Sequence, residues 1–335
     1  MSDDYGVAGS VRERVEAAQE RLAKERGSLT PEEEVQLLGT VAYGLVELAD
    51  AEEGDPSLLD RAVEVFREAA AVFEREGDAR GLASSRASVA VVLSRQGRHR
   101  ESNEEFVEAI RLLERGGADA ALPELLECVK GVGLNLLKLG DFDGAKAQFE
   151  EGASVARASG DLANLIDCLV NLIHVAESSG MWADSVPLWE ELASVFEEAG
   201  DAAGLVASYA SLATTYLRLH GTSPKEHPRA LELASSLLDG ALALAEEIGD
   251  PRLLAKVHER LAEAATAKRD LKAASQSLEA ARRAYTAAGA TGDADRVATL
   301  AKFLSRHAEL AGKRGGGHGG RPERANRDKS PRSGQ

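Results

Sequence analysis

Residues 139–161 read LGDFDGAKAQFEEGASVARASGD, and two features of this stretch set the architecture. Gly140-Asp141 and Gly160-Asp161 bracket a segment of helix-forming residues. Glycine supplies the left-handed residue that stops one helix, and the aspartate after it can cap the next. Inside the bracket, small Ala145 precedes large Phe149 by one helical turn, and Gly152 follows three further on. The same small, large, small spacing recurs at Ala62/Phe66/Ala69, Ser102/Phe106/Ala109, Ser185/Trp189/Leu192, Ala234/Leu238/Ala241 and Ala274/Leu278/Ala281. From unit to unit the offsets are 40, 43, 40, 49 and 40 residues. A self-similar period of this length signals a stacked array of supersecondary units.

Each unit reads as a first helix, a tight turn, a second helix and a break. The spacing places turns near Gly54, Gly97, Gly140, Gly180, Gly221 and Arg269-Asp270, and breaks at 76–78, 115–117, 159–161, 199–201, 248–250 and 288–290. Apolar residues fall at helical spacing, as in Val129, Val132, Leu136 and Leu139, so each helix pair has faces to bury on its neighbours. Upstream, residues 10–26 read as an N-terminal helix; Thr30 caps the next helix and Pro31 opens it. Residues 293–310 read as a last helix, and both end segments suit the solvent-tolerant caps that a repeat array needs.

Composition agrees with an all-helical chain. Aromatics make up 4% of the residues, and the nine prolines read as candidate helix starts, loop or tail residues. The net charge of −16 is unevenly spread, since residues 312–335 carry +5 and the remainder −21. Such an acidic body repels phosphate backbones and anionic lipids, so neither nucleic acid nor membrane is an expected partner. The acidic, polar start lacks the pattern of a signal peptide and no run of eighteen apolar residues exists, which makes the cytoplasm the expected compartment. The tail from 312 has no apolar face and reads as disordered. It could also fold back on the acidic body.

The units resemble tetratricopeptide repeats in their longer form of about forty residues. In the third unit the family pattern falls on Gly133, Leu136, Gly140, Phe142, Ala145 and Phe149, with Leu136 in place of the usual tyrosine. The fifth unit keeps a tyrosine at Tyr216 and inserts TSPKEHPRA at 222–230. The resemblance implies a right-handed superhelical solenoid of six helix-turn-helix repeats, at about 31–78, 79–118, 119–161, 162–201, 202–250 and 251–290, with capping segments at 1–30 and 291–311. It further implies a concave groove, lined by the first helices, that accepts a peptide or a partner protein. Carried over position by position, the groove residues include Arg95, Lys130, Leu134, Lys138, Asn171, His174, Thr214 and Arg218. The cations among them would suit an acidic peptide or a free C-terminus, and the Asn171 amide could bond a bound backbone with both a donor and an acceptor. The two-lysine, two-asparagine arrangement of chaperone-tail-binding members is absent, because the asparagine position reads Ser88, Gly131, Asn171 and Ser211.

This reading makes the chain a non-enzymatic interaction scaffold; the alternative is a peptide-sensing regulator, of the kind found in bacterial members, that acts through a separate transcription factor or signalling enzyme. No GxxxxGKS/T, GxSxG, HExxH or CxxC motif occurs, nor GxGxxG in a strand-to-helix context, and no catalytic residue, cofactor or metal is expected. The loop histidines His220 and His227, with Glu226 between them, have no further ligand and read as surface residues. Cys128 and Cys168 occupy equivalent positions in consecutive units and read as small packing residues, with a redox pair as the other possibility. The Glu32-Glu33-Glu34 run reads as a solvated face.

Overall fold

The computed structural model describes residues 4–51, 55–115 and 122–315. Among them are fourteen α-helices and no strand. They divide into two compact units, residues 1–188 and 189–335. In unit 1, α1 (Asp4–Glu25) precedes the antiparallel pairs α2 (Pro31–Ala51) with α3 (Pro56–Glu76), α4 (Ala79–Arg95) with α5 (His99–Arg115), and α6 (Leu122–Leu139) with α7 (Phe142–Ser159). Helix α8 (Leu162–Ser178) and the start of α9 (Trp182–Glu198) complete it. Unit 2 takes the rest of α9, then α10 (Ala202–Thr222) with α11 (Ala230–Ile248), α12 (Pro251–Ala267) with α13 (Leu271–Ala287), and α14 (Thr291–Gly315).

The punctuation legible in the sequence is what ends and starts these helices. Gly77 sits at φ 73°, its N–H donates to the Glu74 carbonyl, and the next N–H, that of Asp78, reaches back to Phe73 at 2.9 Å. This saturates carbonyls that a helix end would otherwise orphan. The Asp78 carboxylate then accepts from Gly81 N at 2.9 Å and starts α4. Asp141, Asp161, Asp201 and Asp270 cap their helices in the same way. At Thr30 the cap is reciprocal: Glu33 N donates to Thr30 Oγ1, while Thr30 N donates to the Glu33 carboxylate at 3.0 Å.

The small and large positions meet across the pair. A Cβ on Gly133 would lie 2.7 Å from the ring of Phe149, so only glycine lets α6 approach α7 at this depth. Phe149 is fully buried there.

Several sequence expectations are corrected. Gly221 lies inside α10, and the turn it was expected to make falls instead between α10 and α11. The N-terminal helix begins at Asp4, not at 10, and α14 continues to Gly315, so residues 312–315 are helical where a disordered tail was expected. Glu34 is buried rather than solvated, because Arg26 Nε at 2.7 Å and Arg75 at 3.4 Å bring two guanidinium groups to it. At the C-terminal end, α14 exposes Leu300, Phe303 and Leu310. The turn at Gly54, most of the break at 115–117 and the tail from 316 lie outside the described residues.

Candidate functional site

In unit 1, α4 touches α6 and α6 touches α8, so the first helices of successive pairs form one face. Polar contacts tie them together. The Tyr43 hydroxyl on α2 lies 3.2 Å from Ser88 Oγ on α4, Arg80 on α4 pairs with Glu124 on α6, and Ser94 Oγ donates to Asn135 Oδ1 at 2.6 Å. Asn135 is fully buried. Its amide also donates to Ser102 Oγ and Asn103 Oδ1, each at 2.8 Å, and His99 Nδ1 lies 3.0 Å from its oxygen. Ser102 Oγ in turn donates to the Ala90 carbonyl at 2.6 Å. A buried amide with all of its groups occupied fixes α4, α5 and α6 in one register. Neither Asn135 nor Ser102 carries a sequence signature of this role, because their partners are brought together only by the fold.

The groove residues expected from the sequence are placed as follows. Arg95 ends α4 and is ion-paired with Asp50 of α2. Lys130 Nζ donates to Asn164 Oδ1 at 2.7 Å and to Asp167 Oδ2 at 2.9 Å, with its side chain only 19% exposed. Both cations are therefore engaged by this chain's own acids. Lys138, on the last turn of α6, is exposed. The Asn171 amide donates one N–H to the Asp167 carbonyl within its own helix at 2.8 Å, which leaves its second N–H and its oxygen available. Leu134 and His174 are exposed on α6 and α8. Thr214 and Arg218 lie on α10 in unit 2, where Thr214 Oγ1 donates to the Ala210 carbonyl at 3.0 Å and Arg218 is exposed.

A hollow of about 270 Å³ opens where α2, α4 and α6 converge. Its walls include Tyr43, Val46, Ala87, Val91, Leu113 and Glu127. Tyr43 and Val91 are half exposed at its rim, 56% and 50%, and further along the face Leu134 and Val170 are exposed to a similar degree. Apolar side chains exposed on successive helices form a patch of the kind that marks interaction surfaces. Helical spacing would have flagged these residues, but a period alone does not separate a rim from a core.

Cys128 and Cys168 are buried and unbridged. Burial, with Glu127 and Glu124 nearby, pushes the Cys128 thiol up to about 12, and burial also raises that of Cys168. Thiols held protonated in this way are poor nucleophiles. Among the described residues no helix is long and apolar enough to cross a membrane.

No family model and no curated protein matches the sequence. Solved structures do match the fold. Over 93% of this chain and 47% of the other, it superposes at TM-score 0.54 and 14% identity on a signal-transduction ATPase with numerous domains from Pyrococcus horikoshii that carries a tetratricopeptide-repeat sensor. Aspartyl phosphate phosphatase F from Bacillus subtilis matches at TM-score 0.47 and 14% identity, over 91% of this chain and 84% of that one. A Rap protein complexed with competence and sporulation factor matches at TM-score 0.43 and 16% identity, over 88% and 80%. The fold is an all-α helical repeat array. Its repeats are of the tetratricopeptide type.

Proposed function

We propose that the chain is a protein-interaction module whose first-helix face in unit 1 docks an extended segment of a partner protein, anchored by an apolar side chain in the hollow between α2, α4 and α6. The observation that carries this reading is the hollow itself, with half-exposed Tyr43 and Val91 on its rim. Desolvating such side chains supplies most of the binding free energy at small interfaces. The cations add less than the sequence suggests, because Arg95 and Lys130 already pair within the chain and a ligand carboxylate would have to displace Asp50 or Asp167. The ligand is therefore defined by an apolar anchor rather than by net negative charge.

Selection of a displayed random-peptide library on the full chain tests the proposal. Recovered peptides should share an aliphatic or aromatic anchor and lose binding to Val91→Asp. Recovery of acidic peptides that bind Val91→Asp undiminished would refute it.

A further inference from the structure

Within unit 2, the end of α9 and the start of α11 flank α10, and a hollow of about 340 Å³ opens between them. Its lining combines two chemistries. Half-buried Tyr209 and Tyr216 of α10 lie beside Leu233 and Leu237 of α11, while Glu190 and Glu197 stand on the α9 side.

The lining holds one pairing twice. Helix α9 turns back into α10 at Gly200, and the Phe196 ring lies against Gly204, so the two helices run antiparallel there. Glu190 acts on Tyr216: burial first, and then the Glu190 charge, raise that hydroxyl. A step of seven residues forward along α9 and seven back along α10 leads from this pair to Glu197 and Tyr209. Seven residues are close to two turns, so the two Glu–Tyr pairs are about 10.5 Å apart along the hollow, at about 1.5 Å per residue.

No base of the chain answers these acids. Among the described residues no ion pair or hydrogen bond engages Glu190 or Glu197, and both are exposed. Residues 190–198 and α11 carry four acids each and neither lysine nor arginine. Arg218, Lys225 and Arg229, the bases of α10 and the loop after it, line no part of the hollow, and Arg229 pairs with Glu232.

A tyrosine ring beside an unpaired carboxylate, walled by leucine, recognises a cation on an apolar stem. The ring attracts the charge, the carboxylate pairs with it and the leucines cover the methylenes. Arginine suits this better than lysine, because a planar guanidinium stacks on a ring while its edge donates to a carboxylate. A metal ion does not fit, since no group of three metal-binding side chains exists among the described residues.

From this we infer that the hollow between α9, α10 and α11 docks a basic segment of a partner protein, with two arginines seated one on each Glu–Tyr pair. A polyproline II segment has the matching spacing: at three residues per turn and about 3.1 Å per residue, arginines three positions apart share one side at about 9.3 Å. This inference is independent of the docking face in unit 1, whose anchor is apolar.

The probe for the test is an arginine–proline–proline–arginine peptide, acetylated and amidated so that only its guanidinium groups are charged. The full chain holds five tyrosines, and fluorotyrosine labelling gives each a fluorine resonance. Millimolar peptide should move the Tyr209 and Tyr216 resonances together and saturably, leaving those of Tyr43 and Tyr285 in place. Glu190→Gln and Glu197→Gln should each weaken binding about fivefold and the double variant about twenty-five-fold, with unchanged circular dichroism because both side chains are exposed. The same peptide with citrulline for both arginines, which keeps the shape and removes the charge, should move neither resonance. Tyr209 and Tyr216 resonances that stay fixed at the highest soluble peptide concentration, a citrulline peptide that binds equally, or a double variant that binds as wild type overturns the inference. If deleting residues 316–335 moves the two resonances before any peptide is added, the occupant is this chain's own basic tail and the assignment to a partner falls.

Discussion

In unit 1 the helix pairs close on leucine, valine and phenylalanine: Leu45, Leu93, Leu126 and Phe149 are all buried to 1% or less. Around α12 to α14 in unit 2 the equivalent seam is Ala255, Ala262, Ala274, Ala281, Ala294 and Ala301, with Leu278 and Tyr285 as its larger members. One backbone motif thus carries two kinds of interior. An alanine seam lets helices approach closely but buries little area per residue, at about 25 cal/mol per Å² of apolar surface. Unit 2 compensates with polar pairing: Tyr285 Oη donates to Glu259 at 2.6 Å, and Arg296 reaches both oxygens of the same carboxylate at 2.8 and 2.9 Å. Unit 1 compensates for its bulk with small residues on the groove side, Ala83, Ser84 and Ala87, and the hollow lies there.

The sharpest way to break this comparison is to empty each seam. Phe149→Ala should cost about 3–5 kcal/mol, because its cavity against Gly133 cannot close, and Leu278→Ala at the margin of the alanine seam about 2–3 kcal/mol. Urea unfolding with hydrogen exchange resolved by unit should show each loss confined to its own unit. Equal losses would mean that the two interiors are equivalent. Next in size, Asn135→Ala should cost about 2–3 kcal/mol through the donors and acceptors it strands. Asn135→Asp at neutral pH should cost more, because the buried carboxylate loses the N–H donated to Asn103 and sets an oxygen against the Asn103 carbonyl oxygen.

Titration sharpens the contrast further. Burial works to raise the Glu259 carboxyl, but the hydrogen bonds from Arg296 and Tyr285 prevail and hold it below its ordinary value. A depressed folded pKa contributes stability above the unfolded carboxylate range, and that stability fades as pH falls through the folded value. Glu259→Gln should therefore be less stable than wild type at pH 7 and approach it in acid. On the alkaline side the sign reverses. The Cys128 thiol in unit 1 and the Tyr285 hydroxyl in unit 2 are both raised to about 12. Burial is the leading cause for each. Each contributes stability below its unfolded pKa that disappears towards pH 12, so Cys128→Ala should flatten the limb beginning near pH 9 and Tyr285→Phe the limb beginning near pH 10. The smallest effect is expected at Arg95→Ala, within about 0.5 kcal/mol, since its pair with Asp50 is largely exposed.

Much of this fold is legible in the chain because its signals are local. A glycine stop, an aspartate cap three residues before the amide it binds, and a small residue one turn before a large one all lie within a few positions of each other. The site was less legible because its determinants are distant. The acids that engage Arg95 and Lys130 lie 45 and 37 residues away, so a count of groove cations overstated the charge on offer to a ligand. Glu34 reads as one of three solvated glutamates until Arg75, 41 residues on, is folded against it. Gly221 shows the converse limit: a glycine is permitted to turn the chain, not obliged to, and α10 runs through it. In α14, spacing gave a last helix over 293–310, but only the packed structure shows that its Leu300, Phe303 and Leu310 are exposed.

The most direct test of the docking face is a binding titration of the full chain with a peptide selected on it, comparing Val91→Asp with Lys138→Glu. If the apolar hollow anchors the partner, Val91→Asp weakens binding about fiftyfold or more and Lys138→Glu changes it by about twofold or less. The opposite pattern, with binding that survives Val91→Asp and collapses on Lys138→Glu, would contradict the account and return the groove to a charge-reading role.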